Sequence, residues 1–307
     1  MLDCPVTTII PTYNRPEQLL IALEHIYNCD PYPGEIIIHI DANDQVTQAV
    51  LKDSPFQAIK IIQSTVQMGP GGGRNLALAE ASHECVASFD DDSYPLDKDY
   101  FSRLLLLFEQ FPQAAVIGAS IFHVGEEIVS DQPIVRWVAT FIGCGCAYRK
   151  SAFQQTNGYI PLPLAYGMEE VDLALQLHDI GWPILQSPYL RVFHNTQLTH
   201  HTQPNVTAAS ISNLALLASL RYPVTFWWLG AAQCLNRIVW LTRHGRFSGI
   251  LQGILAIPQL LAQHQHQRKA ISTEALRTYL QLRSVEGPPL HLESRSFEPE
   301  QHIAEPQ

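Results

Sequence analysis

The chain has 307 residues, of which 46% are hydrophobic and only 16% are charged. This composition excludes a disordered or collagen-like protein, and the length allows one large α/β domain or two smaller ones. A net charge of −10 argues against general binding to nucleic acid, so no such partner is expected. The six cysteines form no CxxC pair, and no signal-peptide pattern precedes the first apolar run. Both features predict a cytoplasmic protein with reduced thiols.

The charge is divided unevenly along the chain. Residues 1–207 hold 10 Lys/Arg and 23 Asp/Glu, a net charge of −13, whereas residues 208–280 hold seven basic residues and one acidic residue, a net charge of +6. The remaining residues, 281–307, are rich in Pro, Glu, Ser and Gln, which is typical of disorder. We therefore predict an acidic domain over 1–207, an amphipathic helical segment over 208–280 and a disordered tail over 281–307.

Short β-rich runs alternate with helical patterns in the first part of the chain. The predicted strands are Val6–Ile10, Ile36–Ile40, Ile59–Ile62 and Cys85–Phe89, and the predicted helices are Glu17–Asn28 and Arg74–Ser82. Such alternation predicts an α/β fold with a mainly parallel sheet and helices on both faces. From about residue 115 the pattern changes to hairpin-like pieces, Ala115–Val124 and Val135–Arg149, followed by a predicted helix over Glu169–Ile180.

Polar residues follow four of these strands directly. Asn14, Asp41, a glycine-rich run and Asp90–Asp92 each come just after a predicted strand end. In parallel sheets, ligands bind beyond the carboxyl ends of the strands. We therefore expect these four features to line one edge of the sheet, although polar turns after strands are also common.

Three adjacent aspartates, Asp90, Asp91 and Asp92, end an apolar strand. Adjacent carboxylates repel one another unless a cation neutralises them, and their oxygen atoms suit Mg²⁺ or Mn²⁺. Such an ion would in turn hold a diphosphate. The alternative interpretation is a solvated acidic turn.

The run GPGGGRN, residues 69–75, precedes a predicted helix. Glycines let a backbone approach a ligand closely, and Arg74 at a helix start can pair with a phosphate. The run lacks the Gly-Lys-Ser/Thr of a P-loop, which disfavours ATPase chemistry. The alternative interpretation is a flexible loop.

The carboxylates Glu169, Glu170 and Asp172 open a predicted helix. A carboxylate at this position can act as a general base while its neighbour orients an acceptor hydroxyl, but acidic residues also simply stabilise the first turn of a helix. His194 follows a strand-like stretch and could donate a nitrogen atom to a metal.

These motifs together resemble the family 2 glycosyltransferases of the GT-A fold. The matching segments are PTYNR at 11–15, Asp41, GPGGGRN, FDDDS and GMEEVDL, in the family's order and approximate spacing over about residues 5–200. The resemblance implies a Rossmann-like fold and a metal-dependent, inverting transfer of a sugar from a nucleoside-diphosphate sugar. The implied acceptor is a hydroxyl of a glycan or of a lipid-linked molecule, as in the synthesis of cell-surface polysaccharides.

The resemblance also implies roles for individual residues. The implied donor-binding residues are Thr12, Tyr13, Asn14, Arg15, Asp41, Gly73, Arg74, Asp90 and Asp91. Within this set, Asp41 corresponds to the residue that reads the base, Arg74 to an arginine near base and phosphates, and Asp90 to the aspartate that meets the ribose.

The implied ligands of Mn²⁺ or Mg²⁺ are Asp91, Asp92 and His194, with His200 and His201 as weaker alternatives to His194. The implied catalytic base is Glu170. Because the family's Glu-Asp pair is Glu-Glu here, Glu169 stays an alternative base.

Two other functions remain open from the sequence. A sugar-1-phosphate nucleotidyltransferase also uses a glycine-rich loop, an arginine and a metal, but its loop normally follows the first strand, where this chain has residues 11–14. A non-catalytic, membrane-attached binding module is the second alternative. Release of a nucleoside diphosphate from a nucleotide sugar would distinguish the transferase from both.

Two long uncharged stretches, Tyr222–Asn236 and Phe247–Gln263, lie in the basic segment. Pro223–Asn236 is shorter than the ~20 residues of a membrane-spanning helix. Aromatic and apolar residues with arginines on both sides are typical of helices that lie in a membrane interface. We therefore predict peripheral attachment to the cytoplasmic face of a membrane, with a helical lid on the catalytic domain as the alternative.

Overall fold

The computed structural model describes residues 4–56, 58–196, 203–285 and 287–292. The strands are β1 (Cys4–Thr12), β2 (Pro33–Ile40), β3 (Ile59–Gln63), β4 (Cys85–Phe89), β5 (Ser93–Pro95), β6 (Val116–His123), β7 (Ile134–Val138), β8 (Gly145–Arg149), β9 (Ile184–His194) and β10 (Leu290–His291). The helices are α1 (Pro16–Tyr27), α2 (Gln45–Lys52), α3 (Gly69–Glu80), α4 (Tyr100–Gln110), α5 (Lys150–Phe153), α6 (Glu169–Asp179), α7 (Pro204–Arg221), α8 (Trp227–Arg243), α9 (Ile250–His264) and α10 (Thr273–Ser284). Short 3₁₀ turns occupy Val224–Phe226 and Gln265–Gln267.

The strands form one mixed sheet in the order β10-β7-β9-β6-β8-β4-β1-β2-β3, and β5 pairs with β9 beside this path. The four strands of the first part, β3, β2, β1 and β4, are parallel, which confirms the predicted α/β fold. Beyond β4 the sheet is mixed, because β8 runs antiparallel to both β4 and β6, while β6 and β9 are parallel. The hairpin-like pieces of the sequence thus produce the mixed half of the sheet.

Helices cover both faces of the parallel strands, so β1 is buried along nearly its whole length. Ile10 of β1 belongs to a buried cluster with Leu19 and Leu23 of α1, whereas its neighbour Ile9 belongs to a second cluster with Ala77 and Leu78 of α3. Successive side chains of a strand point to opposite faces, and this alternation places one helix layer on each side of the sheet.

The glycine-rich run is helical rather than a loop before the helix, which corrects the sequence interpretation. Helix α3 begins at Gly69, with proline in its first turn, and Arg74 lies one turn inside it instead of at its start. A Cβ atom on Gly73 would lie 2.4 Å from Nδ1 of His39. Glycine is needed there because α3 packs directly against β2, a tertiary contact that the sequence pattern does not reveal.

The C-terminal helices pack on the sheet domain through α6 and α7. Arg221, the last residue of α7, forms a buried ion pair with Asp172 of α6, with Nε–Oδ1 at 2.5 Å and Nη2–Oδ2 at 3.1 Å. Leu216 and Leu217 of α7 share a buried cluster with Leu175 of α6. Within the described ranges, none of the helices combines the length and apolar character that crossing a membrane requires.

Part of the predicted disordered tail, 281–307, is structured. Helix α10 continues to Ser284 because it buries Leu276 and Tyr279, and β10 pairs antiparallel with β7. Residues 293–307 lie outside the described part of the chain. The predicted boundary at 207/208 stays a prediction, although α7 already begins at Pro204.

Candidate active site

An open cleft of about 550 Å³ lies at the carboxyl ends of the parallel strands. Thr12 ends β1, Asp41 follows β2 and Asp90 follows β4, and all three line this cleft. The opposite wall comes from Pro163 and from His194, the last residue of β9. The structure therefore brings together the features that follow the strands in sequence.

Arg15, the residue directly before α1, neutralises two of the three aspartates. Its Nη1 lies 2.8 Å from Oδ1 of Asp91, and its Nη2 donates to Oδ2 of Asp92. Thr12 Oγ1 donates to the other oxygen of Asp91 at 2.9 Å. Burial raises the pKa of Asp91 to about 7 in spite of Arg15. Both carboxylates are thus occupied by side chains of the protein.

His194 connects Asp92 to a possible metal site. β5 pairs with β9 so that Ser93 lies opposite His194, which places the imidazole next to the aspartate turn. His194 Nε2 lies 3.1 Å from Oδ1 of Asp92, and Nδ1 lies 3.7 Å from Sγ of Cys144. Burial acts to raise the pKa of Asp92, but its hydrogen bond to His194 and the charges of His194 and Arg15 lower this pKa to about 2.

Among the described residues, the ligand atoms of Asp90, Cys144 and His194 lie within 4.8 Å of one another. The resemblance implies Asp91, Asp92 and His194 as ligands, of which only His194 belongs to this group. Arg15 engages the carboxylates of Asp91 and Asp92, whereas Asp90 is the most exposed of the three aspartates, and ligation by Asp91 and Asp92 stays a prediction. The alternatives His200 and His201 lie outside the described residues.

Cys144 is a residue that the sequence analysis missed. It is buried between β7 and β8, and its backbone carbonyl accepts a 2.6 Å hydrogen bond from Ser93 Oγ. A single cysteine outside a CxxC pair carries no metal signal in sequence. Only the pairing of β5 with β9 and the position of the β7–β8 loop bring it to His194.

Arg74 is 1% exposed and lies behind the cleft wall rather than on it. Its Nε donates to Ser88 Oγ at 3.0 Å, its Nη2 donates to Asp90, and its Nη1 lies 3.5 Å from Oε1 of Glu169. The guanidinium therefore joins Asp90 at the cleft to the carboxylates at the start of α6. A direct contact of Arg74 with a phosphate stays a prediction.

Glu169 and Glu170 have different surroundings. Glu169 is buried beside Arg74, and burial together with the neighbouring Glu170 raises its pKa to about 8. Glu170 is half-buried, and its Oε1 accepts a hydrogen bond from the backbone N–H of Gly143 at 3.2 Å. Burial also raises the pKa of Glu170. Glu170 is thus the more accessible of the two carboxylates, which suits it to accept a proton from a bound hydroxyl.

Asp41 is 4% exposed, and protein groups surround its carboxylate. It accepts hydrogen bonds from Ser64 Oγ at 2.7 Å and from the backbone N–H groups of Met68 and Gly69, each at 2.9 Å. It therefore fixes the start of α3 in addition to lining the cleft. The reading of a base by Asp41 stays a prediction.

The remaining predicted donor residues lie around the β1–α1 turn and α3. Tyr13 is 41% exposed on the cleft wall. Asn14 has a positive φ of 55°, and its backbone N–H donates to Asp44 at 2.5 Å, so it shapes the turn without lining the cleft. Gly73 packs against His39, a buried cleft residue that the sequence analysis missed. Within the described residues, neither ring nitrogen of His39 has a hydrogen-bond partner.

Comparison with known proteins relates part of this chain to glycosyltransferases. The model of the family "Glycosyl transferase family 2" matches residues 7–135. A GalNAc(5)-diNAcBac-PP-undecaprenol beta-1,3-glucosyltransferase from Campylobacter jejuni is 32% identical over 90 residues, which are 28% of this chain and 29% of that protein. The matching segment thus spans less than a third of that relative's length.

Solved structures extend the likeness to most of the chain at the level of the fold. A mannosyltransferase from Pyrobaculum calidifontis, in complex with GDP-Man and Mn²⁺, superposes with a TM-score of 0.54 at 15% identity, over 91% of this chain and 87% of that chain. Residues 1–349 of S. aureus TarS, in complex with UDP-GlcNAc, give a TM-score of 0.54 at 19% identity, over 90% and 81% of the two chains. Residues 7–135 of the chain therefore match the model of glycosyltransferase family 2, and the chain as a whole has a GT-A type fold.

Proposed function

We propose that the protein transfers a sugar, with inversion, from a nucleoside-diphosphate sugar to a hydroxyl group of a glycan or lipid-linked acceptor. The observation that carries this proposal is the joining of two sites by one buried arginine. Arg74 pairs with Asp90 in the cleft and with Glu169 at the start of α6, next to Glu170. A cleft suited to a metal-bound diphosphate thus lies beside a carboxylate suited to deprotonate an acceptor.

The donor is proposed to lie along the carboxyl ends of β1, β2 and β4. Its nucleoside would contact Thr12, Tyr13 and Asp41, which all line the cleft. Arg15 is 42% exposed and reaches the same cleft, so its guanidinium can turn from Asp91 and Asp92 to a donor phosphate. Charge-assisted hydrogen bonds of this kind are among the strongest that a binding site can offer a phosphate.

The metal proposed for this cleft is Mn²⁺ or Mg²⁺, and the imidazole of His194 beside Asp90 favours Mn²⁺. Mg²⁺ prefers oxygen ligands and keeps several waters, whereas a transition-metal ion such as Mn²⁺ also accepts an imidazole nitrogen. When bound, the ion would neutralise negative charge on the departing diphosphate. His194 Nε2 faces Asp92, so Asp92 would orient the imidazole from outside, while its Nδ1 faces the site.

Glu170 is proposed to act as the general base. As the acceptor oxygen forms its bond to the anomeric carbon, the bond from that carbon to the diphosphate oxygen breaks on the opposite face, and the hydroxyl proton passes to Glu170. A single displacement of this kind inverts the anomeric centre and needs no covalent nucleophile. The backbone N–H of Gly143 holds one oxygen of Glu170 and leaves the other for the acceptor.

The acceptor is proposed to be lipid-linked and presented at the cytoplasmic face of a membrane. The Campylobacter jejuni relative is named for an undecaprenol-linked acceptor, which supports this class. In this chain, α8 and α9 expose Trp228 to 66%, and both Leu251 and Leu255 to 68%. Exposed apolar side chains on a basic helical segment are typical of attachment to an anionic membrane surface.

A panel of nucleotide sugars, each assayed with Mn²⁺, Mg²⁺ or EDTA, tests the proposed activity through release of nucleoside diphosphate. We expect release from at least one donor, with Mn²⁺ more effective than Mg²⁺. A nucleotidyltransferase would instead release pyrophosphate from a sugar-1-phosphate and a nucleoside triphosphate. A binding module would release neither product.

Flotation with liposomes tests the membrane proposal. Binding should rise with the fraction of anionic lipid, and the double substitution Leu251→Ser and Leu255→Ser should weaken it. Truncation at residue 207 is a poor test, because α7 buries Leu216, Leu217 and Arg221 against the catalytic domain. Equal recovery with neutral and anionic liposomes would contradict the proposal.

A further inference from the structure

A second cavity, of about 480 Å³, lies between the helices α7, α8 and α9. We call it the α7–α9 groove; its lining includes Ile211, Ala215, Trp227, Ala231, Cys234 and Ile254. Apart from Ser219 and Cys234, the lining side chains are hydrocarbon, aromatic or glycine. Its chemistry is therefore opposite to that of the donor cleft, which is lined by one arginine, four aspartates and two histidines.

Small residues set the depth of this groove. A Cβ atom on Gly230 of α8 would lie only 2.3 Å from Cβ of Ala218 on α7, so the two helices touch at this point. The groove is open to solvent, so its apolar wall is uncovered. An uncovered apolar wall of this kind marks a site for an apolar ligand or partner.

An arginine at the border of the groove stacks on one of its aromatic rings. The guanidinium of Arg268 lies 5.1 Å from the ring centre of Trp227, which is itself a groove residue. Nη1 of Arg268 is buried and has no hydrogen-bond partner among the described residues. A buried guanidinium nitrogen without an acceptor is costly, and a phosphate oxygen is one of its best partners. The apolar groove thus lies next to a guanidinium, that of Arg268, which is suited to bind an anion.

Two occupants from the protein itself are disfavoured by charge and composition. The sequence beyond the described part, 293–307, has four glutamates and only two large apolar residues, Phe297 and Ile303. A second copy of the chain would bring two segments of net charge +6 face to face. An anionic lipid matches both the apolar lining and the neighbouring arginine, because its chain is apolar and its phosphate is negative.

We propose that the α7–α9 groove binds the hydrocarbon chain of the phosphate-linked lipid that carries the acceptor, with Arg268 holding the phosphate. This inference rests on the proposed function. Helix α7, which lines the groove, also contacts the active-site side of the molecule, since Asn213 Nδ2 donates to the carbonyl groups of Leu164 at 3.0 Å and Tyr166 at 3.2 Å. These residues lie in the segment between Pro163, which lines the donor cleft, and Glu169.

Cys234 provides a direct test within the full-length protein. It lines the groove, and it is partly accessible, whereas the other five cysteines are buried. We expect farnesyl diphosphate to slow alkylation of Cys234 by a small maleimide. At a concentration about ten times the Kd, mass action leaves about one tenth of the sites free, so the rate should fall about tenfold. Inorganic diphosphate alone should not protect.

Matched variants separate the groove from the rest of the helical surface. Ala231→Phe fills the groove and should abolish protection, and Arg268→Gln should weaken it. Leu255→Ser lies on α9 outside the lining and should leave protection unchanged. Circular dichroism verifies that each variant is folded.

Three outcomes would overturn the proposal. The first is alkylation of Cys234 that saturating farnesyl diphosphate does not slow. The second is equal protection by phosphatidylglycerol vesicles, which would assign the groove to bilayer lipid. The third is protection by self-association of the protein without ligand, detected by sedimentation. Release of nucleoside diphosphate is measured separately, so failure of this inference is distinguishable from failure of the proposed function.

Discussion

The arginines around the two cavities of the molecule have different partners. In the sheet domain, Arg15 and Arg74 pair with carboxylates around an acidic cleft. In the helices, Arg237 and Arg268 lie over Trp240 and Trp227, at 4.8 and 5.1 Å from the ring centres, beside an apolar groove. The same cation thus organises a polar site where carboxylates surround it and stacks on exposed tryptophans where they do not.

One ion pair connects the two regions. Asp172 lies on the helix that begins with Glu169 and Glu170, and Arg221 ends the first of the C-terminal helices. Because both side chains are fully buried, the position of α6 depends on the C-terminal segment. The two regions therefore differ in chemistry, but they are not independent of each other. Each prediction below either separates the two regions or tests their connection.

The largest effect is expected from Glu170→Gln. Loss of the general base should lower kcat by about 10²–10⁴-fold while donor binding survives, because the amide keeps the shape but accepts no proton. Burial raises the pKa of Glu170, so the wild-type kcat should fall as the pH drops through a value above ~4.3, where the base becomes protonated. A dead Glu169→Gln variant beside an active Glu170→Gln variant would reverse the assignment.

The connection between the regions should contribute strongly to stability. Arg221→Met leaves the carboxylate of Asp172 buried without its cation, so the free energy of unfolding should fall by about 3–5 kcal/mol, measured by urea denaturation. Arg277→Met, on an exposed face of α10, is the control and should change it by at most about 0.5 kcal/mol. If both variants behaved like the control, the two regions would not be coupled through this pair.

The metal site should depend on Asp92 although Asp92 is not in the ligand group. Asp92→Asn weakens the contact that orients His194, and loss of such an orienting partner typically lowers metal affinity about 10–100-fold. Titration of Mn²⁺ by electron paramagnetic resonance measures this affinity, with the exposed Asp53→Asn as the control. With Co²⁺, a thiolate absorption band that disappears in Cys144→Ser would identify the cysteine as a ligand. Unchanged Mn²⁺ affinity in Asp92→Asn would contradict the orienting role.

The smallest effect is expected at the base-reading position. Asp41→Ala should raise KM for the donor about tenfold with little change in kcat, since a contact made equally in the ground and transition states affects binding only. Ser64→Ala removes one hydrogen bond to Asp41 and leaves the backbone ones, so it serves as the matched control. A normal KM with a reduced kcat would show that Asp41 only supports α3.

The sequence predicted the parallel half of the fold well, because β1, β2, β3 and β4 are local apolar runs that end in polar turns. It predicted α3 less well, since glycines normally end helices, and only close contacts such as those of Gly71 with Glu169 and of Gly73 with His39 explain them here. The donor cleft follows from the topological rule for parallel strands. The pairing of Arg15 with Asp91 and Asp92, and the approach of Cys144 to His194, depend on contacts between distant segments, which no local pattern contains.

The stereochemistry of donor hydrolysis tests the central claim most directly. With Mn²⁺ and an α-linked nucleotide sugar, water can replace the acceptor, and proton magnetic resonance follows the free sugar before its anomers equilibrate. A single displacement assisted by Glu170 predicts that the β anomer forms first and that Glu170→Gln abolishes its formation. Initial formation of the α anomer, or hydrolysis that is unaffected by Glu170→Gln, would contradict the account.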